Sequence, residues 1–349
     1  PDWGVNPKLC NLGSGYGMAK YDLLWIADAN IAASDVVLLD LIEKAQMSDR
    51  VALVHQIPWM ISGPSARKGV YQTGMEVMNG STLDRWYFAT GHARLYLNIN
   101  VSMRLACVNG MSVLLNRSIF DANFDGGLRH FAQYIAEDAE FGFQLIERGY
   151  RVVLASHAAV QNLAETSLDA FVSRRVRWKK LTYNLPSIAS SVCFEWIVDA
   201  SFSGAVMSVA LARHMGWNAA VAVAVYFAYW VTCDAIMFRS LDAAVALPRY
   251  WQGNMERGSS TAMGLFRHLS LWLIRELTAI WITILAMMDH TKVVWGGKEF
   301  VLRNGVKGGG VMMKGKEVEP SSGMTKAGSP ASPSEVDKSN SPRSVASGL

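Results

Sequence analysis

Hydrophobic positions in the first half of the chain follow the patterns of alternating strands and helices. Continuous apolar runs at residues 23–27, 51–54 and 152–154 are typical of strands that are buried on both faces of a sheet. Apolar residues at helical spacing predict one helix over residues 34–46 and another over residues 137–148, before a glycine of the kind that ends helices. The alternation predicts an α/β fold.

Three other segments have weaker patterns. A helix is predicted around residues 17–22, after a start that is rich in Gly and Asn, and another is predicted over residues 67–79. Residues 106–112 have the pattern of a strand, a tight turn and a second strand. Each of these segments lies between stronger elements, so we expect them to complete the α/β domain.

Residues 167–185 predict a basic amphipathic helix. Leu168, Phe171 and Val172 lie with other apolar residues on one side, and cations lie on the opposite side. Helices of this kind rest in the interface of a membrane. We therefore expect Phe171 and Val172 to face lipid acyl chains.

The composition becomes more apolar after residue 186. Residues 196–212 and 216–238 have about the length that crosses a membrane, and they predict a transmembrane hairpin. A third run, residues 269–288, contains Arg275 and Glu276. Each charge costs about 2.5–3.5 kcal/mol at the centre of a membrane helix, so we expect a partner or a role for both.

The charges around the third run predict its topology. Four arginines lie between the second and third runs, which indicates a cytosolic loop: Arg239, Arg249, Arg257 and Arg267. The cations after the third run also have a cytosolic pattern, which conflicts with a third full crossing. The third run is therefore predicted to be re-entrant, or the topology is more complex than hydropathy indicates.

These patterns divide the chain into three parts. Residues 1–186 form an α/β domain that ends in the interfacial helix, and residues 187–303 form a transmembrane or re-entrant region with a closing motif at 295–302. Residues 304–349 are rich in Gly, Ser, Pro and Lys and predict a disordered tail. The sequence starts at Pro1 without a signal peptide, so we expect it to be a fragment that lacks its true start.

Composition supports a globular part joined to membrane segments. Of 349 residues, 51% are hydrophobic and twelve are tryptophan. The formal net charge is only +4, and the cations are clustered. The four cysteines have neither metal-ligand spacing nor a paired framework, which argues against a zinc site and is typical of a reducing compartment: Cys10, Cys107, Cys193 and Cys233.

Three features at the ends of predicted elements could act together. Asp28 follows a strand, Asp138 lies in the first turn of a helix, and residues 174–178 form a basic-aromatic cluster. A carboxylate can take a proton from an attacking hydroxyl, and cations can hold a diphosphate leaving group. Each feature also has an ordinary interpretation: a turn aspartate, an acidic pair that complements the helix dipole, and a solvated or membrane-facing surface.

The order of these features resembles that of the inverting nucleotide-sugar glycosyltransferases with a GT-A, Rossmann-like fold. Asp28, Asp138 and the R-x-x-R-W motif of residues 174–178 carry that resemblance. Over about residues 4–303 the sequence is more closely similar to the ceramide glucosyltransferase family. The segments that carry this closer likeness are residues 6–8, 11–12, 19–23, 131–138 and 274–276.

The resemblance implies a function and a site. It implies a multi-pass Golgi enzyme, facing the cytosol, that transfers glucose with inversion from UDP-glucose to the primary hydroxyl of ceramide in the bilayer, with no nucleic-acid partner. Asp138 would be the base, and Asp28 would bind Mg²⁺ or Mn²⁺ with the diphosphate. The other implied contacts are with the donor, from Lys8, Arg174, Arg177 and Trp178, and with the acceptor, from His92 and Cys107.

The sequence departs from the family pattern in two places. It has Asp28-Ala29-Asn30 where D-x-D is common, but a single carboxylate can hold a divalent metal that takes its other ligands from phosphate and water. The closing motif has a glycine where the family usually has arginine. Two alternatives stay open: a processive polysaccharide synthase of the chitin or hyaluronan type, for which three apolar runs are few, and a non-catalytic membrane scaffold.

Overall fold

The computed structural model describes residues 3–62, 79–102, 106–163, 166–183, 203–245, 265–295 and 297–301. The predictions for residues 67–78, for the first part of the transmembrane hairpin, for most of the loop before the third apolar run and for the tail lie outside the described residues. The same is true of the last two residues of the predicted interfacial helix.

Strands and helices alternate up to residue 183, and long helices follow. The helices are α1 Pro7–Met18, α2 Asp35–Ala45, α3 Gly80–Tyr87, α4 Ala93–Leu97, α5 Arg117–Asn123, α6 Glu137–Glu147, α7 Leu168–Tyr183, α8 Ser203–His214, α9 Ala219–Ala243 and α10 Leu265–Met288. The strands are β1 Leu23–Ala27, β2 Val51–His55, β3 Pro58–Ser62, β4 Ser112–Asn116, β5 Arg151–Leu154, β6 Ala159–Leu163, β7 Lys292–Trp295 and β8 Lys298–Val301. Shorter helical turns are Phe88–His92, Asn98–Ser102 and Gly127–Gln133.

The central sheet has the strand order β1-β4-β2-β5. Strand β4 is antiparallel to both of its neighbours, and β2 is parallel to β5. Strand β2 is fully buried, as its apolar run predicts. Strand β1 was predicted to be buried on both faces, but it is only half-buried, because it is an edge strand in the described part of the sheet.

Helices cover both faces of this sheet. Side chains alternate between the faces of a strand, so Leu53 points to one face of β2 and Val54 to the other. Leu53 packs in a cluster with Phe120 and Phe141, whereas Val54 packs against Leu41 of α2. The predicted mixed α/β architecture is confirmed, with the sheet between two helical layers.

The N-terminal helix lies earlier than the sequence pattern predicted. Residues 17–22 were expected to be helical, but α1 ends at Met18. Pro7 occupies the start of the helix, and the side chain of Asn6 accepts a hydrogen bond from the Leu9 amide at 3.1 Å. Asn followed by Pro is a helix-start signal that the Gly-rich composition obscured.

The predicted strand-turn-strand at residues 106–112 is only partly present. The turn lies at Gly110 and Met111, and β4 begins after it. The segment before the turn is not a strand, because its backbone bonds to side chains: both the amide and the carbonyl of Cys107 pair with Asn100, and the Asn109 amide donates to His55. The result is a loop whose backbone is held by hydrogen bonds to the side chains of Asn100 and His55.

Among the described residues, two helices are long and apolar enough to cross a membrane, namely Ala219–Ala243 and His268–Met288. They include most of the second and third apolar runs of the sequence. Of the first run, the structure describes residues 203–212, which belong to α8.

Helix α7 is packed inside the protein, which corrects the predicted lipid-facing orientation of Phe171. Phe171 is 2% exposed and lies in a cluster with Leu83, Trp86 and Leu271. Two cations that were assigned to a solvated side, Arg175 and Lys179, are also buried. The helix has α3 on one side and α10 on another, so tertiary contacts occupy faces that the sequence pattern assigned to lipid and water.

We predict that Phe171→Ala lowers the free energy of unfolding by about 3–5 kcal/mol, because it leaves a cavity among large side chains. Leu168→Ala on the same helix is the control, since Leu168 is 52% exposed and its loss should cost less than about 0.5 kcal/mol. Chemical unfolding of both variants in detergent measures the difference. Equal losses would contradict the buried position of Phe171.

Candidate active site

A cavity of about 910 Å³ lies between the sheet edge, α1, α6, α7 and α10. All eight residues that the sequence analysis singled out line it: Lys8, Asp28, His92, Cys107, Asp138, Arg174, Arg177 and Trp178. They come from segments up to 170 positions apart. Their common location makes the cavity the candidate active site, while their individual roles stay predictions.

Asp138 lies in the first turn of α6 with its carboxylate held by backbone amides. One oxygen accepts a hydrogen bond from the Gly110 amide at 3.0 Å, and the other accepts from the Ala139 amide at 2.9 Å. Burial raises the pKa of Asp138, and the nearby Lys8 and the amides oppose that rise. An oriented carboxylate with a raised pKa is suited to accept a proton.

Gly110 is required for the close approach of Asp138. A Cβ atom at this position would lie 2.9 Å from Oδ2 of Asp138 and 3.1 Å from its Cβ. Any larger residue would therefore push the carboxylate away. The Gly110 carbonyl on the other side of the loop accepts a hydrogen bond from Lys8 Nζ.

Lys8 lies among three acidic side chains. Its Nζ is 3.4 Å from Oδ1 of Asp28 and 3.6 Å from Oε1 of Glu137. Burial lowers the pKa of Lys8, but the charges of Glu137, Asp28 and Asp138 outweigh it, so the pKa is raised and Lys8 is cationic. Lys8 therefore joins Asp28 at the end of β1 to Glu137 at the start of α6.

Glu137 is a part of the site that the sequence analysis did not single out. It is buried, and its Oε2 accepts a hydrogen bond from Nδ2 of Asn6 at 2.7 Å. The sequence signal was the acidic pair at residues 137–138, of which only Asp138 was given a role. The contact with Lys8, 129 positions earlier, could not be read from local pattern.

Asp28 follows β1 and faces the cavity, with its side chain 35% exposed. Within the described residues, no three His, Cys, Asp or Glu side chains are grouped closely enough to hold a metal ion. A metal ion at Asp28 would therefore have fewer than three such ligands from the described residues. An accessible carboxylate oxygen in a cavity fits a divalent ion that takes its other ligands from phosphate and water.

Part of the basic-aromatic cluster is structural. Arg174 and Arg175 both donate hydrogen bonds to Asp84, at 3.1 Å and 2.5 Å, and Asp84 is 0% exposed. The Arg175 guanidinium also lies over the rings of Tyr87, at 3.8 Å, and Trp178, at 4.7 Å. Asp84 holds Arg174 in place but shares its one negative charge with Arg175, so the pair of arginines keeps a net positive charge beside the cavity.

Arg177 is the cation best placed to bind an anion. It lines the cavity, its guanidinium lies 5.9 Å from the ring centre of Trp295, and among the described residues it has no acidic partner. Burial lowers the pKa of Arg177, and the charge of Arg174 lowers it further. A partly buried cation with a cationic neighbour favours a negatively charged ligand.

His92 lies in an aromatic wall of the cavity. Its ring stacks on Tyr96 with 4.3 Å between centres and contacts Phe88 at 4.7 Å. Burial lowers the pKa of His92 well below its usual value, and the charge of Arg175 adds to that effect. His92 is therefore neutral, and among the described residues its Nδ1 has no hydrogen-bond partner.

Apolar side chains also line the cavity. They include Ala279 and Ile282 of α10, Leu181 of α7, and Trp295. Helix α10 contains one of the two segments among the described residues that are long enough to cross a membrane. The cavity thus combines charged groups at the sheet edge with apolar residues of a candidate membrane helix.

A buried charge network joins that helix to the α/β domain. Arg275 donates hydrogen bonds to Asp234 of α9 at 2.7 Å and to Thr90 at 2.8 Å, and it pairs with its neighbour Glu276. Asp234 also pairs with Arg94 of α4. The partner expected for Arg275 and Glu276 in the apolar run is therefore present.

Comparison with known proteins gives relatives over most of the chain. Ceramide glucosyltransferase 3 of Caenorhabditis elegans is 29% identical over 303 residues, which cover 84% of this chain and 59% of the relative. Ceramide glucosyltransferase 1 of the same organism is 28% identical over 299 residues, with 86% and 57% covered. The ceramide glucosyltransferase of Komagataella phaffii is 26% identical over 366 residues, with 86% and 68% covered.

The length of these matches determines which properties can be inferred from them. The chain spans less than three fifths of the length of the two worm relatives, so the activity of the whole proteins is not transferred with the likeness. The family can be assigned, because residues 1–307 match the model of a single family. That match covers most of the chain, and the chain belongs to glycosyl transferase family 21.

Proposed function

We propose that the chain is the catalytic part of a membrane-bound enzyme that transfers glucose from UDP-glucose to the primary hydroxyl of ceramide. One observation carries the proposal: a single cavity is lined both by the charged groups of Asp138, Lys8 and Arg177 and by apolar residues of α10. A charged donor and a lipid acceptor need such a cavity. The names of the similar proteins support the same substrates.

We extend the proposal to the fold and the location. The sheet order, with one antiparallel strand between parallel ones, supports a GT-A type of domain. The two candidate membrane helices support a membrane location, and we assign it to the Golgi with the catalytic domain in the cytosol, where nucleotide sugars are made. The resemblance of the sequence to the ceramide glucosyltransferase family motivates this assignment.

The proposed reaction is a single displacement with inversion. The acceptor oxygen forms a bond to the anomeric carbon while the bond from that carbon to the diphosphate oxygen breaks on the opposite face. The proton of the acceptor hydroxyl passes to Asp138, and UDP leaves with the electron pair. Arg177 and Lys8 stabilise the negative charge that develops on the diphosphate.

A divalent ion, Mg²⁺ or Mn²⁺, is part of the proposal. When bound, it supplies positive charge to the leaving diphosphate. Asp28 would hold it through its carboxylate, and Lys8, whose Nζ lies 3.4 Å from Oδ1 of Asp28, would keep its contacts with Glu137 and Gly110 next to the diphosphate. His92 and Cys107 line the acceptor side, where the neutral His92 ring gives the acceptor an aromatic surface.

Asp28→Ala should weaken UDP binding in the presence of Mn²⁺ by about 10–100-fold, because the metal loses its protein ligand. Calorimetry of UDP binding with and without Mn²⁺ measures this, and the metal dependence should vanish in the variant. Asp125→Ala is the control, since Asp125 is an exposed turn residue outside the cavity. If a chelator leaves UDP binding by the wild-type protein unchanged, the metal assignment is wrong.

The function itself is tested with membranes that contain the full-length protein and UDP-glucose labelled in the sugar. The proposal expects label in an organic-phase lipid that carries one hexose, and none of it when Asp138→Asn replaces the wild type. Label in ethanol-insoluble polymer would instead support a processive polysaccharide synthase. No transfer by well-folded protein would support a non-catalytic membrane scaffold.

A further inference from the structure

Glu137 has no part in the proposed reaction, yet it is built into the site. It is 5% exposed, and each of its carboxylate oxygens has a partner. Oε1 lies 3.6 Å from Lys8 Nζ, and Oε2 accepts a hydrogen bond from Asn6 Nδ2 at 2.7 Å. A buried carboxylate is costly unless it is paired, so these contacts need an explanation.

Asn6 fixes Glu137 to the start of α1. Its Nδ2 also donates to the Tyr134 carbonyl at 2.8 Å, and its Oδ1 caps the helix at the Leu9 amide. Every polar atom of the Asn6 side chain therefore has a defined position. The hydrogen bond from Asn6 therefore fixes the orientation of the Glu137 carboxylate, and the other oxygen of that carboxylate faces Lys8.

Lys8 links Glu137 to Asp138 through Gly110. Its Nζ donates to the Gly110 carbonyl, and the amide of the same glycine donates to Oδ2 of Asp138 at 3.0 Å. Gly110 and Asp138 are so close that a Cβ on the glycine would lie 2.9 Å from that oxygen. A displacement of Lys8 therefore acts on one peptide group of Gly110, and through the Gly110 backbone on the adjacent peptide group whose amide orients Asp138.

We propose that Glu137 is a positioning residue for the base: it holds Lys8 against the Gly110 loop and thereby fixes the orientation of Asp138. The inference rests on the proposed transfer reaction, in which Asp138 accepts the proton. Glu137 itself touches neither the donor nor the acceptor in this scheme. Its carboxylate acts through Lys8 and through the two peptide groups that meet at Gly110.

The charges around Glu137 agree with this role. Lys8 and Asn6 face it from α1, Asp138 adjoins it on α6, and Asp28 lies across Lys8 at the end of β1. Burial raises the pKa of Glu137 to about 7; Lys8 opposes that rise, and the charge of Asp138 adds to it. Ionised Glu137 attracts Lys8, whereas protonated Glu137 loses that ion pair as the pH falls.

Glu137→Gln tests the proposal in the full-length protein, with Glu140→Gln as the matched control. Glu140 lies on the same helix, is also buried and bonds Gln144 at 2.9 Å, but has no contact with Lys8. We expect Glu137→Gln to lower kcat about 10–100-fold with the Kd of UDP within about threefold of wild type. Glu140→Gln should leave both quantities within about twofold.

Two further readouts separate positioning from general stability. Hydrogen exchange of the Gly110 amide, measured without substrate, should be about tenfold faster in Glu137→Gln and unchanged in Glu140→Gln. In a plot of kcat against pH, the fall on the acid side should follow one titrating group instead of two, because one of two interacting carboxyl groups no longer titrates. Glu137→Asp, which keeps the charge, should recover part of the lost kcat.

The outcomes distinguish this inference from the proposed function. If the wild type does not glucosylate ceramide, the proposed function fails, but the exchange measurement still decides whether Glu137 orders the Gly110 loop. Wild-type kcat and wild-type exchange in Glu137→Gln would overturn the inference. If that variant does not fold, Glu137→Asp takes its place: it keeps the charge but shortens the side chain, and wild-type kcat together with wild-type exchange of the Gly110 amide would overturn the inference.

Discussion

Asp138→Asn should lower the rate of sugar transfer by about 10²–10⁴-fold, which is the usual range for loss of a general base. Asparagine has the same shape, and its oxygen can still accept the hydrogen bond of the Gly110 amide, so the loop should not move. UDP binding should stay within about threefold of wild type, because the cations of the cavity are unchanged. Single-turnover transfer and calorimetry with UDP provide the two measurements.

The pH dependence gives an independent check on Asp138. Burial raises its pKa, so the rate of the wild type should fall as the pH drops through that raised value, since the protonated form cannot act as a base. The residual rate of Asp138→Asn should not show that fall at low pH. Near-wild-type turnover by the variant would remove Asp138 from the mechanism.

Arg275→Met should destabilise the protein by about 3–5 kcal/mol, the usual cost of removing one partner from a buried ion pair. Arg275 is 3% exposed and holds α10 to Asp234 of α9 and to Thr90 of the α/β domain. Its loss leaves buried acidic groups with fewer partners. Because α10 also lines the cavity, transfer activity should fall together with stability.

Chemical unfolding in detergent measures that effect. Arg213→Met serves as the control, because Arg213 is an exposed residue near the end of α8. A double-mutant cycle with Asp234→Asn should give a coupling energy of about 0.5–3 kcal/mol. Additive effects of the two substitutions would show that Arg275 and Asp234 do not stabilise each other.

The central strands and the site could be predicted because their signals are local. A run of apolar residues such as 51–54 is enough to indicate a buried strand, and Asp28 and Asp138 lie at the ends of elements, where α/β folds bring side chains together. The position of the base in the first turn of α6 also follows from local pattern. The choice of Lys8, His92 and Cys107 came instead from the resemblance to a known family, not from local pattern.

Other features depend on partners that are distant in the chain. Phe171 has a sequence pattern that suits lipid, but Leu83 and Leu271 bury it from segments about 90 positions before and 100 positions after it. Asp84 pairs with Arg174 and Arg175 from about 90 positions earlier in the chain. For Arg275, the cost of a charge in an apolar run predicted that a partner exists, but only the structure identifies Asp234 as that partner.

The wall that α10 contributes to the cavity has a kinetic consequence. Ala279 and Ile282 belong to a helix that is long enough to cross a membrane, yet they line the same cavity as Asp138. In the proposed reaction, a lipid that approaches along this wall comes from the plane of the bilayer, so its effective concentration is its mole fraction among the lipids. Adding inert phospholipid at a constant total amount of ceramide then slows transfer, because it lowers the mole fraction of ceramide. Adding buffer while the concentration of UDP-glucose is kept constant does not change the rate per enzyme.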